Sequence, residues 1–115
     1  MNINNCINYI EFPLVDNQKT KRFYSQVFGW TFTDWGLDYI SFTGAGIDGG
    51  FDGTGETQPQ SPGALIVLYA DDLELKADDV KKAGGKICKP IFSFPGGRRF
   101  HFIDPNGNEL AIWSE

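Results

Sequence analysis

The chain is poor in the residues that most often carry out chemistry. Its 115 residues hold one histidine, one methionine and two cysteines. Around a single histidine no Ser/His/Asp or Cys/His constellation is legible, and the glycines nowhere adopt the spacing of a phosphate loop. No run of Lys or Arg exceeds two residues and the formal net charge is −5. The electrostatic footprint of a phosphate-backbone binder is therefore missing, and nucleic acid is not an expected partner. No apolar run approaches the roughly 20 residues of a membrane span, so no membrane partner is expected. The opening residues, Met1 to Cys6, carry neither a basic region nor a long apolar core. They do not read as a secretory signal, which makes a cytoplasmic location the default expectation. Cys6 and Cys88 are accordingly expected to be reduced, partly buried thiols.

Aromatic residues, by contrast, are plentiful. They make up 15% of the chain, with ten Phe, four Tyr and three Trp, enough to fill a small core and also line a ligand pocket. The length fits one domain, or two half-size modules sharing a core. The second possibility is supported by a repeat. Asp16 and Gly29 recur as Asp71 and Gly84, both shifted by 55 residues, and such a period suggests two copies of one supersecondary block.

In the first copy Ile7–Val15 reads as a strand. Asp16-Asn17 suits a helix N-cap, and residues 18–27 read as a helix with Phe23, Val27 and Phe28 on its core side. Gly29 fits the position past the helix end. Residues 30–35 and 38–43 read as strands, and 44–50 holds one or two short extended pieces. Residues 52–63, DGTGETQPQSPG, form the clearest break and read as a solvated linker, or a flap over a cleft. The second copy begins with the apolar strand 64–70. A helix capped by Asp71-Asp72 follows over 73–83, then strands at 86–89, 98–103 and 109–113. Pro95-Gly96-Gly97 and Asp104-Pro105-Asn106-Gly107-Asn108 mark tight turns. The predicted class is α+β with mostly antiparallel sheets, one domain over 1–115: module one about 1–53, module two about 64–115.

Several segments, taken in order, resemble the glyoxalase / bleomycin-resistance / extradiol-dioxygenase superfamily, the vicinal oxygen chelate fold. They are Phe12-Pro13-Leu14-Val15-Asp16, Phe23-Tyr24, Val27-Phe28-Gly29-Trp30, Ala83-Gly84-Gly85 and Phe102 to Leu110. The Phe-Gly-Trp ending is most similar to the subgroup described as lactoylglutathione-lyase-related. The resemblance implies two βαβββ modules curling into an open, barrel-like sheet around a cavity, and often a homodimer. It also implies where a divalent metal would be held. The first-strand ligand position falls on Tyr9, the second-module one on Ala64 or Leu65, and the last-strand one on Ala111. The fourth falls among Gly49, Gly50 and Phe51, with Asp48 and Asp52 nearby. These residues lack the expected His and Glu donors, so no metal or cofactor is expected.

With positions 9 and 111 facing the cavity, strand alternation turns Glu11, Glu109 and Trp113 inward as well, and places Arg99 and His101 together on one face of the strand before, the cavity face. Glu11 and Glu109 are the candidate catalytic carboxylates. Tyr9, Tyr39, Phe51, Tyr69, Arg99, His101 and Trp113 are the candidate ligand-binding residues. The polar group among them reads as a ligand site or acid/base pair, or as a salt-bridged group at a sheet edge or dimer contact. Two functions follow: a metal-independent protein that binds a small molecule between its modules, or a lyase, isomerase or dioxygenase-type enzyme using a Glu base or a displaced divalent metal. The charged positions from Glu74 to Lys82 read as a solvated helix face.

Overall fold

The computed structural model describes residues 2–59 and 63–115. Ten elements follow one another as β1 (Tyr9–Pro13), α1 (Asn17–Phe28), β2 (Thr31–Asp34), β3 (Tyr39–Thr43), β4 (Asp48–Asp52), β5 (Ile66–Tyr69), α2 (Leu73–Lys82), β6 (Lys86–Phe94), β7 (Gly97–Ile103) and β8 (Glu109–Ser114). They form two four-stranded sheets of order β1-β4-β3-β2 and β5-β8-β7-β6. In each, the first strand runs parallel to the last and the remaining pairs are antiparallel. The expected tandem of βαβββ modules is what the chain adopts, with the sheets open rather than closed into a barrel.

The helix boundaries follow from their caps. Asp16 accepts a hydrogen bond from the Lys19 N–H, and Gly29 ends α1 in the left-handed region at φ 74°, which glycine enters without the Cβ penalty. In the second copy Asp72, rather than Asp71, is the cap, accepting from the Leu75 N–H. Two sequence expectations shift for identifiable reasons. Trp30 lies before β2 instead of inside it, because its indole is drawn under the sheet and stacks on Tyr24 at 4.7 Å and Phe42 at 4.6 Å. Strand β6 continues through Pro90 instead of stopping there. It is an edge strand with register shifts on either side of Lys89, and an edge tolerates a residue that cannot donate.

Alternation sorts each strand into two faces. Phe12, Ile40, Phe42 and Phe51 of the first sheet, and Phe100, Phe102, Leu110 and Ile112 of the second, are buried in one shared core with Phe23, Tyr24, Leu73 and Val80 of the helices. The copies are joined there: the Phe23 ring lies 5.8 Å from Phe102, and the Tyr24 hydroxyl donates to Asp104 Oδ2 at 2.8 Å.

The turn after β7 completes that joint. Asp104 Oδ1 accepts the backbone N–H groups of Asn106 and Asn108 at 2.8 and 2.9 Å. Asn106 Oδ1 in turn accepts the Val15 N–H at 2.7 Å, the Asp16 N–H at 3.2 Å and the Thr20 hydroxyl at 3.0 Å. The Asn108 amide donates to Pro13 O at 3.3 Å. A motif that reads locally as a hairpin turn thus ties module two to the start of α1.

Burial, and after it the Asp104 carboxylate, pushes the Tyr24 hydroxyl well above the ordinary phenol range. The folded chain therefore keeps a proton that the unfolded chain loses. The associated stability is complete below the unfolded pKa of about 10 and is lost as pH rises beyond it. Unfolding free energies from urea titrations should fall between pH 9 and 11, by up to about 1.4 kcal/mol per pH unit from this one group. Tyr24→Phe should show a shallower alkaline decline; an unchanged slope would show that Tyr24 is not responsible.

Candidate functional site

On the face of the first sheet turned away from α1, Tyr9 and Glu11 stand on β1 two residues apart. Across β4 the register pairs Glu11 with Gly50, and Gly50 with Ser41. Gly50 offers no side chain, and the Tyr39 ring occupies that space: a Cβ at position 50 would lie 2.5 Å from its hydroxyl. Tyr39 can therefore reach across β4. Its hydroxyl bonds the Tyr9 hydroxyl at 2.6 Å and donates to Glu11 Oε1 at 2.9 Å. The other carboxylate oxygen, Oε2, accepts from the Thr57 hydroxyl at 2.9 Å. Desolvation, followed by the bonds to Tyr9 and Glu11, raises the Tyr39 hydroxyl far above the ordinary phenol range. The result is a continuous chain, Tyr9–Tyr39–Glu11–Thr57, whose members come from β1, β3 and the segment between the modules.

The second sheet's corresponding face is organised differently. His101, only 3% exposed, pairs through Nδ1 with Glu109 Oε2 at 2.8 Å. Arg99 lies with its guanidinium 5.4 Å from the Phe92 ring centre and 5.5 Å from that of Phe94, within the range of cation–π attraction. Tyr69 and Trp113 meet edge to face at 5.1 Å.

Glu11 and Glu109 line one pocket of about 270 Å³ at the junction of β1, β5 and the start of β8, closed on one side by Thr57, Gln58 and Pro59. No Lys or Arg lines it. Among the described residues no group of three or more His, Cys, Asp and Glu is placed to hold a metal ion, and no helix is long and apolar enough to cross a membrane.

The family model of the glyoxalase/bleomycin resistance protein/dioxygenase superfamily matches residues 6–112. The chain belongs to this superfamily. It is 34% identical over 117 residues to a glyoxylase-like domain-containing protein of Didymella fabae, covering 92% of this chain and 91% of that one. It is 27% identical to CFP32 of Mycobacterium bovis, a protein named as a glyoxylase, over 92% of this chain but 44% of the relative. The chain thus spans less than half the length of that relative. Among solved structures, a glyoxalase-related enzyme from Fulvimarina pelagi superposes with a TM-score of 0.80 at 19% identity, covering 96% of this chain and 88% of the other. The fosfomycin resistance protein FosX of Listeria monocytogenes gives 0.80 at 16% identity, over 98% and 95%. At such identities the likeness of this superfamily member to those two is one of fold.

Of the residues singled out from sequence, Tyr9, Tyr39 and Glu11 are brought into one network, and Glu109 joins Glu11 at the pocket. His101 is paired to Glu109 but sealed from solvent, while Arg99 is held apart between Phe92 and Phe94. Tyr69 and Trp113 pack on each other. Phe51 is elsewhere: it is fully buried on the helix side of β4, stacked 5.1 Å from Phe12, because alternation sends Gly50 and Asp52 to the open face instead. Cys6 and Cys88 are both free and exposed, not partly buried. Thr57 had no signal in a stretch that reads as solvated linker; residues 60–62 of that stretch lie outside the described residues.

Proposed function

We propose that this chain binds a small organic molecule in the pocket between its modules without a resident metal. One observation carries the reading: Glu11 from the first module and Glu109 from the second line the same pocket, and no basic side chain lines it. Two carboxylates facing one space call for a ligand that brings hydrogen-bond donors or positive charge of its own. The Tyr9 phenol, 45% exposed and linked through the Tyr39 hydroxyl to Glu11, offers a flat surface for an aromatic body.

The donor set argues against the family's metal. Tyr9 stands where the first ligand would fall, and its hydroxyl is already bonded to Tyr39. Ala111 is fully buried with nothing to coordinate. Gly50 has no side chain and its space is taken by the Tyr39 ring. Zn, Fe, Mn or Ni sites need several imidazole or carboxylate donors converging on one point.

Two measurements test this. Elemental analysis of untagged protein is expected to find no stoichiometric Fe, Zn, Ni or Mn; finding one would overturn the metal-independent reading. A thermal-shift screen of small aromatic amines and alcohols is expected to yield compounds that raise the melting temperature, since a ligand of the native state stabilises it. Glu11→Gln should abolish the shift.

The relay itself favours a second reading. Bonds of 2.6 and 2.9 Å link Tyr9 through Tyr39 to Glu11, a path by which a carboxylate base could take a proton from a group held at Tyr9. Turnover of a screened compound that Glu11→Gln removes while its binding persists would assign the chain to the isomerase or lyase class instead.

A further inference from the structure

A larger cavity is lined by Ile10 and Phe12 of β1, by β5, and by Phe28 and Lys76 of the two helices. Its volume is about 560 Å³, inside the roughly 300–1,000 Å³ range of small-ligand sites. Apart from Ile10, Phe12 and Ile66 it shares no lining with the carboxylate pocket. Its wall is the aromatic cluster of Phe12, Phe28, Trp30 and Phe42 on one side and consecutive residues of β5 on the other.

One charged side chain lines it. Lys76 of α2 reaches in, donating from Nζ to Val27 O at 2.9 Å and lying 5.7 Å from the Phe28 ring centre. An ammonium has three donors. One is used here, on a carbonyl at the C-terminal end of α1, where the helix dipole favours a cation. No carboxylate lines the cavity, and no carboxylate pairs with Lys76 among the described residues. A half-buried ammonium with unused donors, at the wall of an aromatic chamber, complements an anionic head on an apolar body. The sequence reading of Lys76 as one of a row of solvated charges misses this, because the stripe Leu73, Ala77 and Val80 alone signals what the helix buries.

We infer that this cavity is a second binding site, for amphipathic monocarboxylates, with Lys76 holding the carboxylate and the aromatic cluster holding the apolar body. The site goes beyond the carboxylate pocket, which selects the opposite charge. The test uses decanoate, decanol and decylammonium as probes and reads both calorimetric titration and the fluorescence of Trp30, isolated in a Trp35→Phe/Trp113→Phe background. Decanoate is expected to bind and to change Trp30 emission, with decanol weaker and decylammonium weakest. Lys76→Met should weaken decanoate by about tenfold or more and leave decanol unchanged, and Lys76→Arg should restore most of the preference for the anion. Glu11→Gln should leave decanoate binding as it is, so loss of the first site and loss of this one are told apart. Absence of decanoate binding, equal binding of decylammonium, or the same anion preference in Lys76→Met would overturn the proposal.

Discussion

Replacing Asp104 with alanine is expected to lower the melting temperature by about 10 °C or more. The carboxylate is 5% exposed and accepts from the Tyr24 hydroxyl, the backbone N–H groups of Asn106 and Asn108, and the Asn108 amide at 3.1 Å. Truncation leaves those buried donors without their acceptor. An unsatisfied buried donor costs about 1–3 kcal/mol, and loss of a whole buried network falls in the range of about 3–5 kcal/mol. For a domain of this size each kcal/mol moves the midpoint by several degrees, about 3–6 °C. The loss extends beyond the turn. Asn106 is held by Asp104 and holds Val15, Asp16 and Thr20, so the start of α1 loses its anchor together with the turn. Asp104→Asn keeps one acceptor oxygen and should cost clearly less. The check is thermal unfolding of both variants by circular dichroism. An Asp104→Ala midpoint within about 3 °C of the parent would mean that the turn is a local hairpin and the joint between modules lies in the apolar core.

That joint marks how far the sequence could be read. The modules, their helices and their turns were legible because each is signalled locally: caps at Asp16 and Asp72, left-handed glycines at 29 and 84, alternation along β3 and β8. The Asp-Pro-Asn-Gly-Asn turn is local as well, so its shape could be read. Its partners in module one are about 90 residues away in the chain, and nothing in the spacing announces them. The candidate site divides in the same way. Tyr9 and Glu11 share a face by period-two alternation, which the sequence displays. That Tyr39 completes the chain depends on β3 lying beside β4 and on Gly50 leaving room, both consequences of register. Phe51 faces the core and not the open face, which was illegible for the same reason: with Gly49 and Gly50 before it, β4 offers no apolar–polar alternation from which its facing could be judged. His101 and Arg99 share a face as expected, yet β6 folds Phe92 over them, and burial of that kind is set by tertiary packing.

The two glycines of β4 supply the second large effect and separate architecture from site. A Cβ on Gly49 would collide with the Ile10 carbonyl oxygen and with the Phe42 ring. The first of these is backbone of the paired strand β1, which cannot move without breaking the β1–β4 ladder that holds Tyr9 and Glu11 in place. Gly49→Ala is therefore expected to destabilise by about 2–4 kcal/mol, the upper range for overpacking a core. Gly50→Ala meets a different neighbour, the hydroxyl end of the Tyr39 ring, which a rotamer change can carry away. Its stability cost should stay near 1 kcal/mol. What it should lose is the relay, since a displaced Tyr39 no longer spans from Tyr9 to Glu11. Denaturant unfolding and the thermal-shift response to a ligand of the carboxylate pocket, measured on both variants, separate the two roles. Gly49→Ala should lower the unfolding midpoint strongly, whereas Gly50→Ala should fold nearly as the parent and lose most of the ligand response. A Gly50→Ala variant that kept the full response would show that the Tyr9–Tyr39–Glu11 chain does not shape the pocket. On the proposed reading the exchange is physical: the side chain omitted at Gly50 is the volume the Tyr39 ring fills, so one of the positions among which the family resemblance implies a metal ligand instead lets a tyrosine bond Glu11.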